Sequence, residues 1–271
     1  MRGVCSRAPF RNRESSVNHV VLGSVCSMAL LAVATLGGCG AGKSQEGNPT
    51  MDPPAGGGPS SACSALEPIP SRLWRLSTTQ FSNSVRDLLG LTTAPTVDDT
   101  GGSAEYAFFT DAAAGVNDTL AFGLYEAVRS ALDEVRPRLA ELAACSAGAA
   151  EQECAESFAR TFGERAFRRT LEPSEVSALL DVYAEGRKQD FDMGIESMIE
   201  ALLQSPSFVY RSELGTPGAR ESELSPFEVA TQLAYLFLDS SPDAELMGVA
   251  ADGCLSTPEG ITAEVDRLLS M

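Results

Sequence analysis

The chain has 271 residues, 44% of them hydrophobic, and a formal net charge of −17, enough apolar matter for a sizeable core and the wrong field for gripping nucleic acid. Its only histidine is His19. Beyond the N-terminal segment there is therefore no imidazole for Ser-His-Asp or Cys-His catalysis, histidine-ligated zinc or haem.

Residues 1–38 read as a signal: Arg2, Arg7, Arg11 and Arg13 precede an apolar run from Val20 to Leu36, too short and too broken by Gly23, Ser24 and Ser27 for a permanent span. The run closes on Leu36-Gly37-Gly38-Cys39, which resembles the lipobox of bacterial lipoproteins. That resemblance makes Cys39 a lipidation site and the membrane a partner through an N-terminal anchor. Gly40 replaces the aspartate of inner-membrane retention, which implies the outer membrane. The alternative is an ordinary cleavable signal with a chance cysteine. Without the four arginines and Glu14 ahead of Cys39, 16 basic and 36 acidic residues remain, a net charge of −20.

Residues 39–70 are rich in Gly, Pro and Ser and lack an apolar period, as a disordered tether does. Gly37, Gly42, Lys43 and Ser44 match a phosphate-binding loop in spelling only. No strand precedes them and Pro49, Pro53 and Pro54 follow, so nucleotide binding is rejected.

A first helical module is expected over 71–144. Ser77 and Gln80 can form a capping box, Leu76 can staple onto Phe81, and Gly90 can end the helix. Trp74 ahead of it reads as a packing anchor. Between Leu91 and Asp118 periodicity fades. Asp98, Asp99 and Glu105 could gather around calcium, or they belong to a solvated loop. A second helix runs from Thr119, and Pro137 should kink or restart it.

The central module, 145–216, opens with Cys145 and Cys154 around a small-residue loop. They form either a disulfide, which an oxidising compartment would favour, or two buried thiols. Arg165, Arg168 and Arg169, with Arg211, form a basic knot in an acidic chain. It is either an anion site or a set of bridges to acids and helix ends on neighbouring helices, and the second reading is preferred. Helices should start at Pro173, Pro226, Pro242 and Pro258, each proline standing at the first helical position; Glu172, a poor cap, should leave its helix fraying. Ile195, Met198, Ile199, Leu202 and Leu203 form a buried stripe. No strand-like alternation of useful length appears. The class is all-α: an array of short amphipathic helices after a disordered tether, with a third module over 222–271 expected to be cut mid-helix at Met271.

Three blocks then carry a resemblance: RLSTTQFSNSVRDLLG from Arg75 to Gly90; Phe162 to Arg169 with Ala201 to Glu213; and Leu224 to Leu269. They resemble the planctomycete-type, cytochrome-c-associated series of uncharacterised modules, also common as predicted lipoproteins in myxobacteria. Thr170 and Glu172 depart from its usual proline and threonine. The resemblance implies location and architecture but no reaction, and the haem signature of some relatives is missing.

The function expected is a lipid-anchored envelope protein, with no cofactor and no catalytic residue assigned, that binds or scaffolds an envelope protein or polysaccharide. The alternative is a surface enzyme or redox-chain accessory using paired carboxylates, drawn from Glu105, Asp111, Glu196, Glu200 and Glu213, whose activity needs further C-terminal modules.

Overall fold

A computed structural model describes residues 71–98, 115–145, 150–215 and 223–271. Cys39, the tether, Asp99, Glu105 and Asp111 lie outside the described residues. Within them the architecture is all-α, with one exception that the sequence did not announce. Strand β1 (Arg72–Arg75) pairs antiparallel with β2 (Tyr210–Glu213), Arg72 opposite Glu213 and Trp74 opposite Arg211. Four residues are too few for a period of two to declare itself, and the partner lies far along the chain.

Local chemistry places the helices. In α1 (Thr78–Leu89) the Ser77 hydroxyl accepts the Gln80 N–H at 3.0 Å while the Gln80 side chain accepts the Ser77 N–H at 3.2 Å. Gly90 ends the helix at φ 61°, a left-handed conformation that glycine adopts freely. Arg138 covers the carbonyls left over there, donating to Leu89 O at 3.0 Å and Gly90 O at 2.6 Å. Asn117 caps α2 (Asp118–Val135), which gives way at Pro137 to a 3₁₀ turn and restarts as α3 (Leu139–Ala143). Then follow α4 (Glu151–Phe167), α5 (Pro173–Gly186), α6 (Phe191–Leu203) and the single turn α7 (Pro206–Val209). Beyond β2 come α8 (Pro226–Phe237), α9 (Ala244–Ala251) and α10 (Pro258–Leu269).

One helix start differs from expectation. Pro242 does not open a helix: α9 begins at Ala244, because the Asp243 carboxylate accepts the Leu246 N–H at 2.8 Å while Ser241 turns its hydroxyl to Tyr235 at 3.2 Å. At Glu172 the weak cap is compensated from the third helical position. Glu175 accepts the Glu172 N–H at 2.8 Å and is itself clamped by both terminal nitrogens of Arg169 at 2.7 and 2.8 Å.

One apolar core takes residues from α1 to α7 together with Tyr235. Helix α6 contributes the stripe Ile195, Met198, Ile199, Leu202 and Leu203, all fully buried. Each such side chain contributes about 1.5–3 kcal/mol of burial. Helices α5 and α6 approach closely because neither carries a side chain at the contact. A Cβ on Gly194 would meet the Tyr183 ring at 2.6 Å, and one on Gly186 the Met193 carbonyl at 2.4 Å. A smaller core joins α8, α9 and α10 through Ala230, Leu233, Ala234, Leu246, Ala250, Leu255 and Leu268. Cys145 and Cys154 are disulfide-bonded, Cα atoms 5.3 Å apart, which ties the end of α3 to the first turns of α4. Cys254 is disulfide-bonded as well. No helix among the described residues is long and apolar enough to cross a membrane.

Candidate functional site

The basic knot resolves around Arg168. It follows the last residue of α4 in a left-handed conformation, φ 58°, which turns its side chain inward, and it is 3% exposed. Its Nη2 donates to the carbonyls of Ser207 at 2.9 Å, Phe208 at 3.1 Å and Tyr210 at 2.9 Å. These belong to α7 and the first residue of β2, where a one-turn helix leaves acceptors unpaired. Nη1 reaches the Tyr235 hydroxyl at 3.4 Å.

Tyr235 is the second fixed point. Its hydroxyl also hydrogen-bonds with Ser84 on α1 at 3.0 Å, so α1, the end of α4, α8 and the turn after α8 share one buried polar cluster. The same face of α1 grips that turn twice more. Asn83 donates to Asp239 O at 3.1 Å, and the Ser240 hydroxyl donates to the Asp87 carboxylate at 2.6 Å. Arg165 lies nearby with Nη2 3.4 Å from Asp87 O; burial pulls its guanidinium pKa below the ordinary value, and the Asp87 charge partly opposes this.

Guanidiniums and rings alternate from the ribbon into this cluster. The Arg72 carbon sits 4.5 Å from the Trp74 centroid, and Arg211 is 5.8 Å from Trp74 and 5.6 Å from Tyr235. Arg168 continues the series, 5.8 Å from Tyr235 and 5.6 Å from Phe208. Glu213 ion-pairs with Arg72 and accepts from Gln232, whose own oxygen accepts from Arg211 at 3.2 Å. Burial lowers the Arg211 pKa, with Glu213 opposing it. Trp74 is thus an anchor as expected, though its partners are cations rather than an apolar wall.

Beside the cluster lies a cavity of about 460 Å³. Phe167, Arg168 and Arg169 form one side, Leu73, Ser212 and Leu214 another, and Phe227, Glu228 and Thr231 of α8 a third. Glu228 accepts backbone N–H groups from Leu214 at 2.6 Å, Gly215 at 3.2 Å and Ser225 at 2.9 Å.

Of the four arginines in the knot, Arg168 and Arg169 line the cavity, Arg211 joins Arg168 at the Tyr235 ring, and Arg165 faces α1. Of the carboxylates considered for catalysis, Glu105 and Asp111 lie outside the described residues, while Glu196 and Glu200 meet at one arginine. Glu196, 2% exposed, is held by Arg136 at 2.7 and 2.9 Å, and Glu200 shares Arg129 with it at 3.6 Å. Glu213 sits in the ribbon. Among the described residues no group of three or more His, Cys, Asp or Glu could hold a metal; Asp98 is exposed, and Asp99 and Glu105 are outside them. Sequence reasoning missed Ser84, Tyr235 and Glu228. A signal for Ser84 existed: a hydroxyl three residues after Phe81 and four before Leu88 lies on the apolar face of its helix, where it must find a buried partner.

Residues 154–213 match the family model described as PSD5, protein of unknown function (DUF1595), and residues 224–271 match PSD4, protein of unknown function (DUF1592). No curated protein and no solved structure matches the chain. Two segments of the chain thus match models of domains of unknown function, and Arg168 in the first segment meets Tyr235 in the second. The block from Arg75 to Gly90 lies outside both matches, yet supplies Ser84 and Asp87 to the contact.

Proposed function

We propose that this is a lipid-anchored protein of the bacterial cell envelope whose helical modules bind or scaffold a partner there, the anchor being Cys39. The observation that carries the reading is the Cys145–Cys154 disulfide, since disulfides persist outside the reducing cytosol. The Leu-Gly-Gly-Cys ending of an apolar, arginine-headed segment supports the anchor.

The test is metabolic labelling with an alkyne-bearing fatty acid, followed by envelope fractionation. The expected result is a labelled, membrane-bound protein whose label and membrane association are both lost in Cys39→Ser. An unlabelled wild-type protein in the cytosol would refute the reading. Cross-linking on intact cells before solubilisation then identifies the partner as protein or polysaccharide.

A further inference from the structure

Among the described residues Arg168 is a buried cation without a counter-ion. Its carbonyl, phenol and ring partners are all neutral, it makes no ion pair among the described residues, and its Nε makes no hydrogen bond among them. Such a charge is ordinarily paired, because neutral dipoles only partly replace its hydration. The two other ionic groups of the cavity wall already have partners of their own. Arg169 is clamped by Glu175, and Glu228 is wrapped by backbone N–H groups. The remaining wall is largely apolar, from Phe167, Phe227, Leu73 and Leu214. Leu73 and Leu214 keep 49% and 48% of their surface exposed, so a leucine-edged side of the cavity is open to solvent. A volume of about 460 Å³ falls in the range of small-molecule sites.

We infer that this cavity binds a small amphiphilic carboxylate, its head group at Arg168 and its apolar body against Phe167, Phe227, Leu73 and Leu214. A carboxylate matches the planar guanidinium and gives Arg168 an ionic partner. An apolar body replaces water along the leucine and phenylalanine walls. The inference concerns the purified chain and holds whether or not Cys39 is acylated.

Isothermal titration of the full chain with three probes tests it: laurate, 1-dodecanol as the same tail without charge, and acetate as the head without a tail. The expected order is laurate tightest, 1-dodecanol weaker by about tenfold or more, and acetate weaker still. Trp74, the only tryptophan, neighbours Leu73 in β1 and reports the event by fluorescence. Arg168→Gln should bring laurate down to the level of 1-dodecanol. Because that variant removes internal hydrogen bonds, Leu73→Glu provides the second arm: it alters a half-exposed side chain and should weaken laurate by about tenfold through like-charge repulsion at the mouth. Absence of laurate binding, equal affinity for 1-dodecanol or acetate, or an unchanged laurate affinity in Leu73→Glu would each overturn the inference.

Discussion

Arg168 and Arg267 are both guanidiniums withdrawn from water, and the two cores accommodate them in opposite ways. In the larger core Arg168 rests on backbone carbonyls, a phenol and aromatic faces. In the smaller one Arg267, its side chain 10% exposed, is surrounded by carboxylates: Asp243 at 2.8 Å, Glu264 at 2.6 Å and Glu245 at 3.7 Å. Burial alone would lower the Arg267 pKa, yet Asp243 and Glu264 raise it above the ordinary value. Asp243 answers in kind. Burial pushes its carboxyl up, and Arg267 with the N–H of Leu246 more than offsets that and holds it low. Arg168 acts as a joint between the end of α4, α7, β2 and α8. Arg267 holds the start of α9 to α10 beside the smaller core.

The contrast predicts unequal costs. Arg267→Leu leaves three carboxylates facing one another and should destabilise the chain by about 3 kcal/mol, the low end for a broken buried pair because Asp243 is itself 32% exposed. Arg168→Leu leaves only neutral acceptors and should cost about 1–2 kcal/mol. Denaturant unfolding measures both, and a reversed order would break the comparison. Replacing Cys145 and Cys154 by serine opens a bridge across nine residues and should cost about 2–3 kcal/mol, read as a lower unfolding midpoint in the larger core. Tyr235→Phe deprives Ser84, Ser241 and Arg168 of a shared partner; a loss of about 1–2 kcal/mol is expected, together with a looser junction seen as faster amide exchange around Ser240.

The smallest effect concerns pH. The Arg169 guanidinium, chiefly through its hydrogen bonds, holds the Glu175 carboxyl below its usual range; burial works against this and the Glu172 N–H assists. A depressed folded-state pKa stabilises the fold fully above the unfolded value of about 4.3 and is lost as pH falls through the folded value. Glu175→Gln should therefore be less stable than wild type at pH 7, and the gap should close on acidification below about pH 4. A gap that persists or widens would mean that Glu175 acts by packing rather than charge.

Much of the fold was legible in one dimension because it depends on neighbours within a helical turn. The box of Ser77 with Gln80, the stop at Gly90, the restart after Pro137 and the stripe from Ile195 to Leu203 each follow from residues three or four apart. Proline-led helix starts were read correctly at Pro173, Pro226 and Pro258, where the residue before the proline becomes the cap. At Pro242 the same pattern misled, since whether Ser241 or Asp243 caps depends on what else each can bond. Tyr235 took the first and Arg267 the second.

The basic knot could be seen in the sequence, but not the use of each arginine. A side chain with five donors pairs with whatever the fold presents, and the partners of Arg168 lie on α7, β2 and α8. By itself the sequence determined the helical class, the capping at Ser77 and Ser225, the cysteines able to pair and the lack of imidazole chemistry beyond His19. Only tertiary structure decided the ribbon, the sharing of α8 between two cores and the cavity beside Arg168. Those features join residues dozens to more than a hundred positions apart, whose meeting depends on how whole faces pack and not on any local period.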